Sequence, residues 1–309
     1  MSKQRGLLPA DLHVLERGWL SSNSLLMCGD PRGAVLVDTG YCTHKHQTLA
    51  LVQSALADEP GLRLIANTHL HSDHCGGNAH LAAHFDCPIW VPPGHFQAAL
   101  DWDQDALSFA TTGQKAERFT PTAALQPGST LHQANREWQI HAAPGHDPHS
   151  ILLFNADNGV LMSADALWEH GFGIVFPEIE GAPGFDEVAT ALDLIADLPV
   201  CVVIPGHGPV FTDVKAALAE ARSRLAFFKL NPTRHARHAA KALIKYHMLE
   251  VISQTRAELI DWLSKTPIHR QIWQRFFKSS AIEAWSLELL NELSSASVIR
   301  VNGELIHNQ

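Results

Sequence analysis

The sequence predicts a mixed α/β protein followed by a smaller helical domain. Up to about residue 213, short apolar runs with strand character alternate with amphipathic helical patterns. Histidines and aspartates collect in the segments that directly follow those runs, where sheet proteins carry their chemistry. Beyond residue 213 the composition turns helix-forming and basic, so the expected division is 1–213 and 214–309. With 46% hydrophobic and 18% charged residues over 309 positions, the chain can bury a sizeable core, which excludes a disordered polymer.

Taken in order, AVLV at 34–37 reads as a buried strand ending in Asp38-Thr39-Gly40. Residues 46–57 space their apolar positions as an amphipathic helix, and LRLIAN at 62–67 is the next buried strand. Residues 68–77 form the loop at its end, followed by a helix over 78–85 and a strand, CPIWVPP, at 87–93. The polar stretch 101–127 has weak periodicity and reads as an excursion over the sheet. EWQIHAA at 137–143 is a strand, 151–165 a hairpin turning at 156–159, and 169–184 a Gly-rich loop. A helix over 186–197 and the strand VCVVIPGHG complete the first part.

Residues 214–309 hold 14 Lys+Arg and 8 Asp+Glu, whereas residues 1–213 hold 9 and 24, so charge is polarised along the chain. Helices are expected at 240–254, 255–265 and 281–293, then a hairpin at 298–307 in which Asn302-Gly303 predicts a type I′ turn. The last of these helices carries Glu283, Glu288 and Glu292 and no cation, a poor face for phosphates. Nucleic acid is therefore the disfavoured partner, and a homodimer contact or a cover over the active site is the expected role.

The opening residues MSKQRGLLPADL lack an apolar core of signal-peptide length, and no later stretch approaches a membrane span. Five scattered cysteines without a C-x-x-C pair suit a reducing compartment. The expectation is a cytoplasmic protein without disulfides or a membrane partner.

Twenty histidines stand against two tyrosines and four methionines. Three of them, with a carboxylate, fall within six positions: His69-Leu70-His71-Ser72-Asp73-His74. In an extended segment His69 and His71 share a face, so both can reach one metal ion, while the following turn can swing Asp73 and His74 to a second. Glycines at 76 and 77 let the backbone bend into the next helix.

This segment resembles the metallo-β-lactamase superfamily, whose H-x-H-x-D-H hallmark matches at His69, His71, Asp73 and His74. The resemblance runs over most of 15–213, with Asp38 in VDTG, His146 in APGHDPHS, Asp165 in SADALW and His207 in PGHGP in the family's order. It implies a four-layer αβ/βα sandwich. It also implies a two-metal site: His69, His71 and His146 on the first ion, Asp73, His74 and His207 on the second, Asp165 bridging, and Asp38 orienting a ligand. Two zinc ions are expected. Iron and manganese suit the same donors, and a mononuclear iron dioxygenase of the superfamily stays open. Many relatives read H-T-P-G-H-T, whereas here Pro144-Gly145-His146 is followed by Asp147-Pro148-His149-Ser150, which makes His149 an extra candidate contact.

Such a site implies a metal-dependent hydrolase that uses a metal-bridging hydroxide on a small ester, thioester or lactone, with Asp73 as the candidate catalytic proton carrier. The stretch 166–185 offers Trp168, His170, Phe172, Phe176 and Glu178; Trp168 and His170 are the candidate substrate contacts beside His149. Lactonases of the superfamily often use a tyrosine here, and the chain has only Tyr41 and Tyr246, which weakens that branch. The carboxyl-terminal part makes the architecture look like the β-lactamase-like protein 2 and glyoxalase II-like group, with a winged-helix-like module. A metal-dependent nuclease using that module and a non-catalytic winged-helix regulator are the alternatives.

Overall fold

A computed structural model describes residues 6–56 and 60–309. The first five residues of the opening stretch, and Ala57 at the end of the first expected helix, lie outside the described residues. The chain divides into two compact units, Met1–Leu107 with Lys115–Ala226 and Ser108–Gln114 with Phe227–Gln309.

In the first unit, strands β1 (Leu12–Leu15), β2 (Ser24–Met27), β3 (Ala34–Val37), β4 (Leu62–Ala66), β5 (Ile89–Val91) and β6 (Ala123–Ala124) lie side by side in chain order. The first three pair antiparallel, and β3 through β6 run parallel. A second sheet contains β7 (Thr130–Gln133), β8 (Arg136–Ala142), β9 (Ile151–Asn155), β10 (Val160–Ala164) and β11 (Val202–Pro205), in the order β11-β10-β9-β8-β7. Only β10 and β11 pair in parallel in this sheet. Parallel neighbours need crossovers, and helices supply them: Lys45–Leu56 and Asn78–Phe85 in the first sheet, Phe185–Asp197 in the second.

The two sheets meet through alternate residues. Leu25, Met27, Val35, Val37, Leu64 and Ala66 of one pack with Trp138, Ile140, Ile151, Leu153, Met162 and Ile204 of the other. The intervening residues Leu26, Leu36, Ile65, Leu152, Leu161 and Val203 are equally buried, so both faces of each sheet are covered. Helix Phe185–Asp197 buries Val188, Ala191, Leu192 and Ile195 at helical spacing, and Lys45–Leu56 buries Thr48, Val52 and Leu56. The result is the expected αβ/βα sandwich. Its functional loops leave the carboxyl ends of β3, β4, β8, β10 and β11.

The second unit contains helices Pro232–Val251, Arg256–Lys265, Pro267–Ile272 and Ile282–Ser295 and an antiparallel sheet of β12 (Ser253–Thr255), β14 (Leu305–Asn308) and β13 (Ile299–Asn302), in that order. Thr255 and Glu258 cap the helix Arg256–Lys265 reciprocally. Among the described residues, no helix is long and apolar enough to cross a membrane.

Three local expectations are corrected. Between the strand expected to end at Pro93 and the excursion expected from residue 101, where no element is expected, residues Pro93–Asp101 form a helix with Pro93 in its first turn. The helix expected at 240–254 runs Pro232–Val251, again opened by proline, and stops at Ile252, whose φ is 66°. The carboxyl-terminal hairpin pairs Asn302 with Leu305, so its turn is Gly303-Glu304; Gly303 alone of the two has a positive φ, 60°, the pattern of a Gly-first type II′ turn rather than type I′.

Candidate metal centre

Asp38 ends β3 in the left-handed region, with φ 59°, which turns its carboxylate across the end of β4. There Oδ1 accepts from the Thr68 backbone N–H (2.9 Å) and Oδ2 from the Thr68 hydroxyl (2.7 Å). The same Oδ2 lies 2.8 Å from His74 Nδ1, with both side chains fully buried. Occupying Nδ1 leaves His74 Nε2 facing inward, and no hydrogen bond satisfies that buried nitrogen. Burial alone would push the His74 pKa down, but the carboxylates of Asp165, Asp38 and Asp73 outweigh it and raise it well above the ordinary value. The position calls for a positive charge.

Around this point the donors form three overlapping groups: His69, His71 and His146; His69, His74 and Asp165; Asp73, His74 and His207. His71 Nδ1 is 3.1 Å from His69 Nε2 and 2.8 Å from His146 Nε2. Tetrahedral ligation at zinc–nitrogen lengths separates ligand nitrogens by about 3.3 Å, so this spacing suits one shared ion. His146 Nδ1 lies 2.6 Å from the Ile174 carbonyl oxygen, to which its N–H donates, leaving Nε2 free to ligate. Burial, reinforced by neighbouring imidazoles, drives the His69 pKa well down and the His71 pKa down to about 4, so these rings are neutral donors at physiological pH.

Asp73 Oδ2 lies 3.0 Å from His207 Nε2 and 3.8 Å from His74 Nε2. Asp165 Oδ2 stands between the groups, 3.5 Å from His74, 3.3 Å from His146 and 3.9 Å from His207. Its other oxygen accepts from Trp168 Nε1 at 3.1 Å. Two glycines allow this crowding. A Cβ at Gly206 would sit 2.1 Å from Asp165 Oδ1, and one at Gly173 would sit 2.4 Å from His146 Nδ1.

The structure thus brings His69, His71, Asp73, His74, His146, Asp165 and His207 together, with Asp38 behind His74. It places the substrate candidates differently from one another. Trp168 flanks the cluster, with its indole N–H spent on Asp165. His170 is exposed and pairs with Glu220 at 3.0 Å, away from the donors. The ring of His149 lies edge-on to His95 beside Gly94, and only its backbone N–H reaches inward, donating to Asp147.

Three further residues are not singled out by the sequence. Trp19, half exposed, lies flat against His207 and edge-on to Trp168, which builds the aromatic wall from both ends of the unit's sequence. Asp147 and His95 are buried beside His71, with Asp147 Oδ2 3.2 Å from His95 Nε2 and 3.7 Å from His71 Nε2. The sequence departs from H-T-P-G-H-T at Asp147, but nothing in that departure points to His95 or Trp19.

A family model described as the metallo-beta-lactamase superfamily matches residues 17–207. The hydroxyacylglutathione hydrolase of Synechococcus sp. (strain JA-3-3Ab) is 27% identical over 217 residues, covering 67% of this chain and 72% of the relative. The Homo sapiens acyl-coenzyme A thioesterase MBLAC2 is 27% identical over 197 residues, covering 57% of this chain and 70% of the relative. Among solved structures, the metallo-beta-lactamase family protein TTHA1429 from Thermus thermophilus superposes with a TM-score of 0.57 at 20% identity, covering 98% of this chain and 100% of that one. TTHA1623, solved in a di-iron-bound form, gives 0.52 at 26% identity, covering 66% and 96%.

Proposed function

The chain belongs to the metallo-beta-lactamase superfamily, and from that premise we propose that it is a hydrolase of small thioesters working with two divalent metal ions, zinc foremost. The observation that carries the reading is the pair of separate donor triads, His69–His71–His146 and Asp73–His74–His207, with Asp165 between them. Two triads support two ions over the mononuclear iron site of a dioxygenase. Both relatives are named for thioesters built on different thiols, which favours the thioester over the ester and lactone.

When bound, two such ions bring a water to neutral-pH reactivity and polarise the acyl carbonyl. The chain's own residues do the rest. Asp38 and the Ile174 carbonyl fix the tautomers of His74 and His146. Trp168 holds one oxygen of Asp165, so the other stays between the two triads. Asp73 would give Oδ2, which faces His207 and His74, to the second ion, and its other carboxylate oxygen is the one left to hold and pass a proton at the reacting centre. Trp19 and Trp168 on one side and Phe176 against His71 and His146 on the other form apolar flanks that shelter the acyl group from water.

The nuclease alternative loses support from within the second unit. Arg237 pairs with Glu288 and Glu292, Lys241 pairs with Glu292, and Lys245 bonds Asn308 and the Val298 carbonyl. These three cations are therefore spent on partners within the unit, Arg237 and Lys241 on the glutamates of helix Ile282–Ser295.

The test is hydrolysis of a hydroxyacylglutathione, an acyl-coenzyme A, an oxygen ester, a lactone and single-stranded nucleic acid by zinc-loaded protein. Thioester turnover that falls at least about 100-fold in His71→Ala is expected. Cleavage of nucleic acid alone, or turnover indifferent to that substitution, would contradict the reading.

A further inference from the structure

His71 differs from the other imidazoles of its triad: it presents Nδ1, whereas His69 and His146 present Nε2. A neutral histidine that ligates through Nδ1 must carry its proton on Nε2, and that N–H needs an acceptor. Asp147 is the carboxylate on that side, its Oδ2 3.7 Å from His71 Nε2. It is 5% exposed, and its partners are imidazoles and one backbone N–H: His95 Nε2 at 3.2 Å, His71, and the His149 amide donating to Oδ1 at 2.7 Å. His95 is 4% exposed, and its Nδ1 has no partner, so its polar contact is the one with Asp147. A carboxylate and an imidazole buried this deeply are costly unless they serve each other or a nearby charge.

We propose that Asp147, seated by His95, is a positioning residue for the first metal: its carboxylate, 3.7 Å from His71 Nε2 and so acting through charge rather than a hydrogen bond, favours the proton on Nε2 and keeps Nδ1 free and aimed at the ion. The proposal rests on the two-metal reading above. It also completes a charge balance. Asp38, Asp73 and Asp165 serve the second ion or the bridge, and Asp147 is the carboxylate added on the first ion's side, so that four buried carboxylates face two divalent cations.

Cobalt(II) is the probe, with affinity measured by chelator competition and geometry by the visible spectrum, on wild type, Asp147→Asn, Asp147→Ala, His95→Ala, the Asp147→Ala/His95→Ala double variant and His71→Ala. Asn at 147 preserves shape, which keeps the test valid if Ala destabilises the fold. Both Asp147 variants should bind one of the two cobalt ions about 10- to 100-fold more weakly, with the spectral change that His71→Ala shows, and hold the other as wild type does. His95→Ala should weaken the same ion by less, and the double variant should be no worse than Asp147→Ala, because His95 acts through Asp147. Wild-type affinity and spectrum in both Asp147 variants, or additive losses in the double variant, would overturn the proposal. Wild type that binds no cobalt would instead overturn the two-metal reading on which it rests.

Discussion

His74 and Asp38 form a fully buried pair, Nδ1 to Oδ2 2.8 Å, that links the end of β3 to the helical turn Ser72–Cys75 following β4. Because the same carboxylate takes both the N–H and the hydroxyl of Thr68, it fixes the path of the His69–His74 loop and the tautomer of its last ligand. Asp38→Ala should therefore lower affinity for the second metal by about 10- to 100-fold. It should also cost about 3–5 kcal/mol of stability, because His74 loses a buried partner. Metal analysis after dialysis and denaturant melts check both effects; loss of stability with metal binding intact would refute the orienting role.

Trp168 has two separable functions, a donor to Asp165 and an apolar wall. Phenylalanine keeps the wall and removes the N–H that bonds Asp165 Oδ1. Trp168→Phe should lower kcat about tenfold, the worth of one hydrogen bond to a charged group, and leave KM within about twofold. A rise in KM with kcat unchanged would show that the wall alone matters.

Trp19 lies on His207 with ring centroids 5.1 Å apart and planes within 6°, yet 55% of it is exposed. Truncation there removes surface that a substrate can cover but little that the fold buries. Trp19→Ala should raise KM for apolar acyl thioesters about five- to tenfold and shift stability by less than about 1 kcal/mol. Equal KM values for short and long acyl chains in the variant and in wild type would remove Trp19 from the substrate path.

His269 sits in the second unit, fully buried against Trp262, with neither ring nitrogen hydrogen-bonded. Burial, aided by His247, lowers its pKa to about 3. The unfolded chain binds a proton near pH 6.5 and the folded one does not, so this residue's contribution to stability is intact above about 6.5 and declines as pH falls toward about 3. His269→Leu should be more stable than wild type by about 1–2 kcal/mol at pH 7.5, since two unpartnered nitrogens leave the core. Its advantage should grow by up to about 1.4 kcal/mol per pH unit below 6.5. Denaturant melts at pH 7.5 and 5.5 measure the difference, and an advantage independent of pH would contradict the assignment.

Much of the site is legible in the sequence because its ligands sit close together or end strands. His69, His71, Asp73 and His74 share one loop, and their spacing alone suggests two ions. His146, Asp165 and His207 need the family resemblance, since nothing in their local sequence says that three separate strand ends converge. Asp147 and His95 are not legible because their meaning lies in contact: one has the look of a turn residue, and the other falls between the expected strand at 87–93 and the polar stretch from 101. The strand drawn to Pro93 treats proline as closing an element, whereas its fixed φ and missing N–H suit the first turn of a helix, the place it takes at both Pro93 and Pro232. His170 and His149 are candidates by nearness in sequence to Asp165 and His146, but side-chain direction sends one to Glu220 at the surface and the other to His95.

Titration of zinc into metal-free protein, while following hydrolysis of a hydroxyacylglutathione and an acyl-coenzyme A, tests whether thioester hydrolysis needs both ions. Turnover should rise to a plateau at two equivalents of zinc per chain. A plateau at one equivalent, or no thioester turnover with both sites filled, would contradict it.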